Sequence, residues 1–365
     1  MNYQSAIFSK YLSDEEMVSI VRDEALIKYM LKFEIALSKA QAKLKIIPSA
    51  SASEIEKVLG KIKIAPQSLA AGTLQNGVPV ITLLSLAKEK LSAEAKKYLH
   101  HGATSQDAMD TAQVLVLKDA ISVIEVKIAK LIVQLKKIIK QYGEATCMAH
   151  TRGQQALPIP FAAKIYAWLN PLQQQTKILA EIKIRLLKVQ LGGAVGMLNV
   201  YGDKGIPLIK ALAKGLNLQI AMPWHTQRGS IVEFTNWLAM LTGIIGKMGA
   251  DILVMGQSEI NEVIENAAGG GKSSAMPHKN NPVLSEALVA LARINAILQS
   301  QMLQSLVHSN ERDATAWILE WNAIPQMLIN TSTSLNHALT ISTNIKVDIG
   351  NMKKNVSQFL QKQGE

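Results

Sequence analysis

Between Gly102 and Gly143 the chain runs for 40 residues without a glycine or a proline. In that run Leu117, Ile121, Ile124, Ile128, Leu131, Leu135 and Ile138 recur at intervals of three and four, which sets them on one helical stripe. A helix over the whole run is about 60 Å long. Pro160 suits the first turn of a second helix, bent at Pro171 and ending near Gly192. Residues 283–324 make a third breaker-free run behind Pro282. Helices of this length bury their stripes against partners of similar length. The spacing therefore predicts an all-α fold around a long-helix bundle, one shared between subunits.

The flanks differ from this centre. Within residues 1–103, "LIKYMLKFEIALSKAQAKL" is helical, but "IPSASAS", "IAPQSLAAG" and "NGVPVI" cut the region into short pieces. We read 1–103 as a small helical domain, 104–345 as the long-helix domain, and 346–365 as a short amphipathic remainder.

Composition narrows the class. With 48% hydrophobic and 18% charged residues the balance is that of a soluble globular chain. The lone Cys147 excludes an intrachain disulfide framework and any multi-cysteine zinc site. The start lacks a signal-peptide pattern, and no uninterrupted apolar run reaches the roughly 18 residues of a membrane span. These features predict a cytoplasmic protein with no membrane partner. The net charge of +11 is spread over lysines set among apolar residues, as in "LKKIIK", which suits solvated helix faces or a field for anionic substrates better than a nucleic-acid site.

Three polar clusters each precede a long helix. In "HHGATSQD" (100–107), Thr104 or Ser105 can cap the helix and Asp107 complements its dipole; the same hydroxyls and free N–H groups can bind a carboxylate. "HTRGQQALP" (150–158) gathers His150, Arg152, Gln154 and Gln155, either as a polar connection or as a donor-rich site. "GGGKSSAMPHKNNP" (269–282) holds three glycines, two serines, Lys279 and Asn281, more than a solvated linker needs. It is not a phosphate loop. Asn266 stands where that loop requires its first glycine, and the preceding segment is polar and helix-forming.

Residues 273–282 resemble the S-S-x-M-P-x-K-x-N signature of the fumarase/aspartase superfamily. "GATSQDAMDTA" is similar to that superfamily's first conserved region, and "HTRGQQALP" to its second, commonly R-T-H-x-Q-x-A-x-P. The resemblance extends from "LKFEIALSKAQAKLKIIP" through "NERDATAWILEW" to "VDIGNMKKN". It implies an all-α homotetramer with a helical core, active sites each drawn from three subunits, a small polycarboxylate substrate, and neither metal nor other cofactor. It also implies that residues 346–365 are the remnant of a C-terminal helical domain. By position, Ser273 is the catalytic serine on a mobile loop, and Glu286 matches a carboxylate that orients a catalytic histidine in relatives.

Within the superfamily, "PWHTQRGSIVEF" (223–234), "SLAAGTLQNGVPVITL" and "ERDATAWILEW" look like the cycloisomerase branch, with amino-dicarboxylate lyases as the alternative and a non-catalytic oligomer as a third reading. Arg152 occupies the third position of R-T-H, where the lyases carry histidine, and His150 lies two residues earlier. Lys272 stands at a usual glycine and Asn280 at a common arginine. Expelling a nitrogen leaving group benefits from an acid, whereas cycloisomerisation requires one proton transfer at carbon and cations to stabilise an aci-carboxylate. The resemblance thus makes Ser273 and His150 the catalytic candidates. Thr104, Ser105, Arg152, Gln155, Gln227, Arg228, Lys279 and Asn281 are candidate substrate ligands, and Glu286, Ser274 and His100 supporting residues.

Overall fold

The computed structural model describes residues 5–265, 270–276 and 279–364. Seven helices occupy the first hundred residues: α1 (Ser9–Leu12), α2 (Glu15–Val21), α3 (Asp23–Lys43), α4 (Ser49–Leu59), α5 (Gln67–Asn76), α6 (Val80–Lys88) and α7 (Ala93–Tyr98). Next comes α8 (Ser105–Tyr142), a single helix of 38 residues whose seven-residue apolar stripe is wholly buried. A hairpin of β1 (Thr146–Thr151) and β2 (Gln154–Pro160) leads to α9 (Phe161–Leu186). After a 3-10 turn at Asn199–Lys204 come α10 (Gly205–Leu216), α11 (Gly229–Met255), the two-residue strand β3 (Val263–Ile264), α12 (Val283–Gln304), α13 (Ala314–Asn344), β4 (Lys346–Val347) and α14 (Ile349–Gln363). Strand β3 pairs antiparallel with β4. The fold is all-α in its framework, as the spacing predicts.

Two apolar cores share α8. Its first turns, with Ala108, Met109, Ala112 and Leu115, pack among α3 to α7 and α10. From Leu117 onward it packs among α9, α11, α12 and α13. Helix α10 therefore joins the core of the N-terminal helices although it follows α8 in the chain.

The structure departs from the expected helices in four places. The segment 150–158 is part of a hairpin, not a loop. The segment before the glycines is a turn leading into β3, not a helix. Helix α9 stops at Leu186, before Gly192, and carries Pro171 inside it. The run 283–324 is broken after Gln304: Asn310 adopts a left-handed conformation (φ 55°), and the Asp313 carboxylate accepts from Thr315 N and Ser309 N to start α13. An asparagine in that conformation followed by an aspartate cap interrupts a helix without glycine or proline.

Helix α11 is hidden in the sequence by its own glycines. A Cβ on Gly246 would lie 2.7 Å from Ala292 Cβ, and one on Gly249 would lie 2.7 Å from the Ser285 carbonyl oxygen. Bare backbone there lets α11 and α12 run antiparallel in close contact. Both helices are also long and apolar enough to cross a membrane by length and composition, although polar residues interrupt every apolar run. Half of the qualifying window in α11 is buried within this chain. Gly249→Val should lower stability by about 1–3 kcal/mol through overpacking, measurable as a shift of the urea midpoint at unchanged slope.

Candidate active site

The first polar cluster is organised by Asp107. Its buried carboxylate accepts from the backbone N–H groups of Gly192 (2.9 Å), Gly193 (2.9 Å) and Thr104 (3.0 Å), and His225 Nε2 lies 2.8 Å from Oδ1. This ties the start of α8 to the loop at 192–193 and leaves Thr104 and Ser105 half-buried at its rim. The preceding turn is equally constrained. Gly102 (φ 72°) packs so closely on the Tyr201 ring that a Cβ would come within 2.6 Å of it, and Tyr201 OH donates to the His101 carbonyl. His100 is held by the buried Glu34, with Nδ1 2.6 Å from Oε1.

Arg312 completes this end. Its Nε donates to Gln106 Oε1 (3.1 Å) and Nη2 to the Ala194 carbonyl (2.9 Å), while the side chain stays exposed beside Thr104 and Ser105. The sequence offered one signal for it, its place in "NERDATAWILEW".

Arg228 is not available for a substrate. It is 1% exposed, and four of its five N–H groups are used: Nη1 and Nη2 donate to Asp110 (2.8 and 3.0 Å), Nε and Nη2 to Glu320 (2.7 and 2.6 Å). Burial opposes its charge, but Asp110 and then Glu320 more than offset that and raise its pKa. The expected ligand is instead a tie between α8, α11 and α13. Its neighbour Gln227 is exposed.

The second cluster is displayed by the hairpin. Thr151 pairs with Gln154, so Arg152 and Gly153 form a two-residue turn, both at positive φ (52° and 80°). Arg152 and Gln155 are exposed. His150 is half-buried and lines a cavity of about 410 Å³ with Lys164, Lys247, Asp251 and Met255.

In the third cluster, Asn266–Gly269 and Pro277–His278 lie outside the described residues. The remainder folds back on itself: Asn281 N–H donates to the Gly271 carbonyl (2.7 Å), and Lys272 bridges Asn280. Ser273 Oγ accepts from Met276 N–H (3.1 Å). Ser274 and Lys279 are exposed, Ser273 and Asn281 half-buried. Glu286, in the first turn of α12, is exposed; among the described residues neither it nor Arg152 has an ion-pair partner.

One chain does not bring the first cluster to the other two. With 38 residues, α8 separates Thr104 from the hairpin by about 57 Å. Helix α11 starts beside Asp110 and runs antiparallel to α12, so the Ser273 loop also sits at the end remote from Thr104. Among the described residues no hydrogen bond joins one cluster to another.

The Glu34–His100 pair sets a pH dependence. Burial pushes the His100 pKa down, yet Glu34, and to a smaller degree Asp107, carries it above its ordinary value. A group bound more tightly as the cation stabilises the fold fully below its unfolded pKa of about 6.5, and that contribution is lost as pH rises through the folded value. The stability advantage of the native chain over Glu34→Gln should thus shrink between pH 6 and pH 9 in urea unfolding. An advantage independent of pH would contradict this role.

Comparison with known proteins agrees with this architecture. A protein-family model described as "Lyase" matches residues 4–295. The chain is 35% identical to 3-carboxy-cis,cis-muconate cycloisomerase of Acinetobacter baylyi over 96% of its own length and 80% of that protein's. Its fold superposes on the crystal structure of 3-carboxy-cis,cis-muconate lactonizing enzyme from Pseudomonas putida with a TM-score of 0.90, at 33% identity over 97% of this chain and 80% of that one. For the fumarate lyase from Mesorhizobium sp. BNC1 the TM-score is 0.89, at 31% identity over 95% and 78%. With the signature, the long-helix framework and these relatives in agreement, the chain belongs to the lyase family of the fumarase/aspartase superfamily.

Proposed function

We propose that the chain is a 3-carboxy-cis,cis-muconate cycloisomerase. What carries this reading is that the Acinetobacter baylyi and Pseudomonas putida proteins align with nearly the whole chain, across all three polar clusters. In the lactonising direction a carboxylate oxygen of the substrate adds to the double bond, charge collects on the adjacent carboxyl as an aci-carboxylate, and Ser273 delivers one proton to the α-carbon. The reverse reaction removes that proton. Lys279 and Arg152 stabilise the developing anion, and Thr104, Ser105, Gln155 and Asn281 hold the remaining carboxylates. Arg312 takes the place expected for Arg228 at the α8 end. His150 is the second acid/base candidate; Ser274 and Glu286 support the loop.

These groups meet only if different copies contribute them, and we take the assembly to be a homotetramer whose sites each draw on three subunits. Two observations support this. The chain of 39.8 kDa exposes 18078 Å², against about 14,400 Å² for a compact monomer of that mass. Large apolar side chains on the long helices, among them Val126, Ile184, Met240 and Ile297, are exposed. A lyase reading, favoured by the likeness to fumarate lyase, remains the alternative to be tested.

Ser273→Ala should reduce turnover of 3-carboxymuconate by roughly 10²–10⁴ while binding persists. Lys279→Met should weaken both binding and turnover, because the cation meets charge in the ground state and in the transition state. Arg152→His should impair lactone formation; lyase activity appearing in it, with no lactone formed by the native chain, would sink the assignment. Mixed, co-refolded Ser273→Ala and Ser105→Ala chains should recover turnover that neither shows alone. A stable monomer in light scattering would remove the composite site.

A further inference from the structure

Helix α12 begins without a local cap. Its N-cap position is Pro282, which offers no side-chain acceptor to the free N–H groups of the first turn. The acceptor comes from the other side of the Ser273 loop. Glu265, directly after β3 and 3% exposed, accepts from Leu284 N–H (2.9 Å) at Oε1 and from Ser285 N–H (2.7 Å) and Oγ (2.6 Å) at Oε2. Among the described residues it has no ion-pair partner, so these donors and the positive end of α12 are what stabilise its buried charge.

The same residue also holds the loop itself. Its backbone carbonyl accepts from Asn280 Nδ2 (3.2 Å), and Asn281 N–H closes on the Gly271 carbonyl. From outside, Tyr11 OH donates to the Val283 carbonyl (2.6 Å), fixing the first residue of α12. Ser273 follows Gly271 by two residues, and Lys279 precedes Asn281 by two. A shift of one stem against the other is thereby passed directly to both functional side chains.

We infer that Glu265 is a positioning residue for the reaction: its carboxylate caps α12 across the loop and so sets where Ser273 and Lys279 stand. The activity arm of this inference rests on the cycloisomerase reading; the structural arm does not. Glu265→Gln keeps size and removes charge, and its amide can serve only one of the two sides, leaving a donor facing a donor on the other.

The test uses the full-length protein and two readouts. Trypsin cleavage after Lys272 and Lys279, measured under native conditions, should accelerate about tenfold or more in Glu265→Gln, because the loop opens more often. For 3-carboxymuconate, kcat should fall roughly 10- to 100-fold with KM nearly unchanged, as expected of displaced reacting groups rather than lost binding. Ser285→Ala, which removes one donor and keeps the carboxylate, should move both readouts the same way by less, and it decides the matter if Glu265→Gln does not fold. Unchanged cleavage in the folded variants overturns the inference, as does a fall in activity confined to KM. Failure of the native chain to turn over 3-carboxymuconate overturns the cycloisomerase reading alone, and the cleavage rates still decide whether Glu265 holds the loop.

Discussion

Three long helices start from one buried guanidinium. Arg228 at the head of α11 is shared by Asp110 of α8 and Glu320 of α13, and Trp317 Nε1 donates to the same Asp110 carboxylate (3.1 Å). Two carboxylates and one cation far from water are costly to desolvate, and only bidentate geometry with nearly every donor used makes such a cluster tolerable. Its value is directional. Removing the arginine leaves two buried charges without a partner, whereas an apolar contact would allow the helices to slide. The relative positions of α8, α11 and α13 follow from this point, and with them the placing of every loop they carry.

The length of those helices then determines what the loops can do. A rigid rod of some 57 Å (38 residues at the α-helical rise) keeps Thr104 and the hairpin apart however the loops flex. Chemistry that needs both ends must therefore be assembled from more than one copy, and the surface left apolar on α8, α9, α11 and α12 is what a second copy would cover. Under the proposed assembly, association and site formation become one requirement.

The sequence displayed those parts of the design that depend on local periodicity. The α8 stripe was legible because nothing interrupts it, and the three polar clusters stood out because each precedes a long helix. Features set by contacts distant in sequence were not legible. Glycine normally argues against a helix interior, so α11 was concealed by Gly246 and Gly249, whose purpose appears only when α12 lies against them. The break at 305–313 needs a left-handed asparagine rather than a usual breaker. Arg228 looked like a substrate ligand because an arginine in a polar motif gives no sign of the two carboxylates, 118 and 92 residues away, that occupy it.

The hairpin shows how a small exchange in sequence is constrained by backbone geometry. Against the arginine, threonine and histidine order that the superfamily resemblance implies, this chain has His150, Thr151 and Arg152. The third of these positions opens a two-residue turn with both central residues at positive φ. Histidine enters that region more readily than arginine, which must accept of the order of 1 kcal/mol of strain there. The strain is useful only if a permanent cation is wanted at the tip. On β2, Ala156 and Leu157 together face the single Ala149, a bulge that twists the hairpin just behind its turn. Arg152 is thus presented outward at the exposed tip of the hairpin.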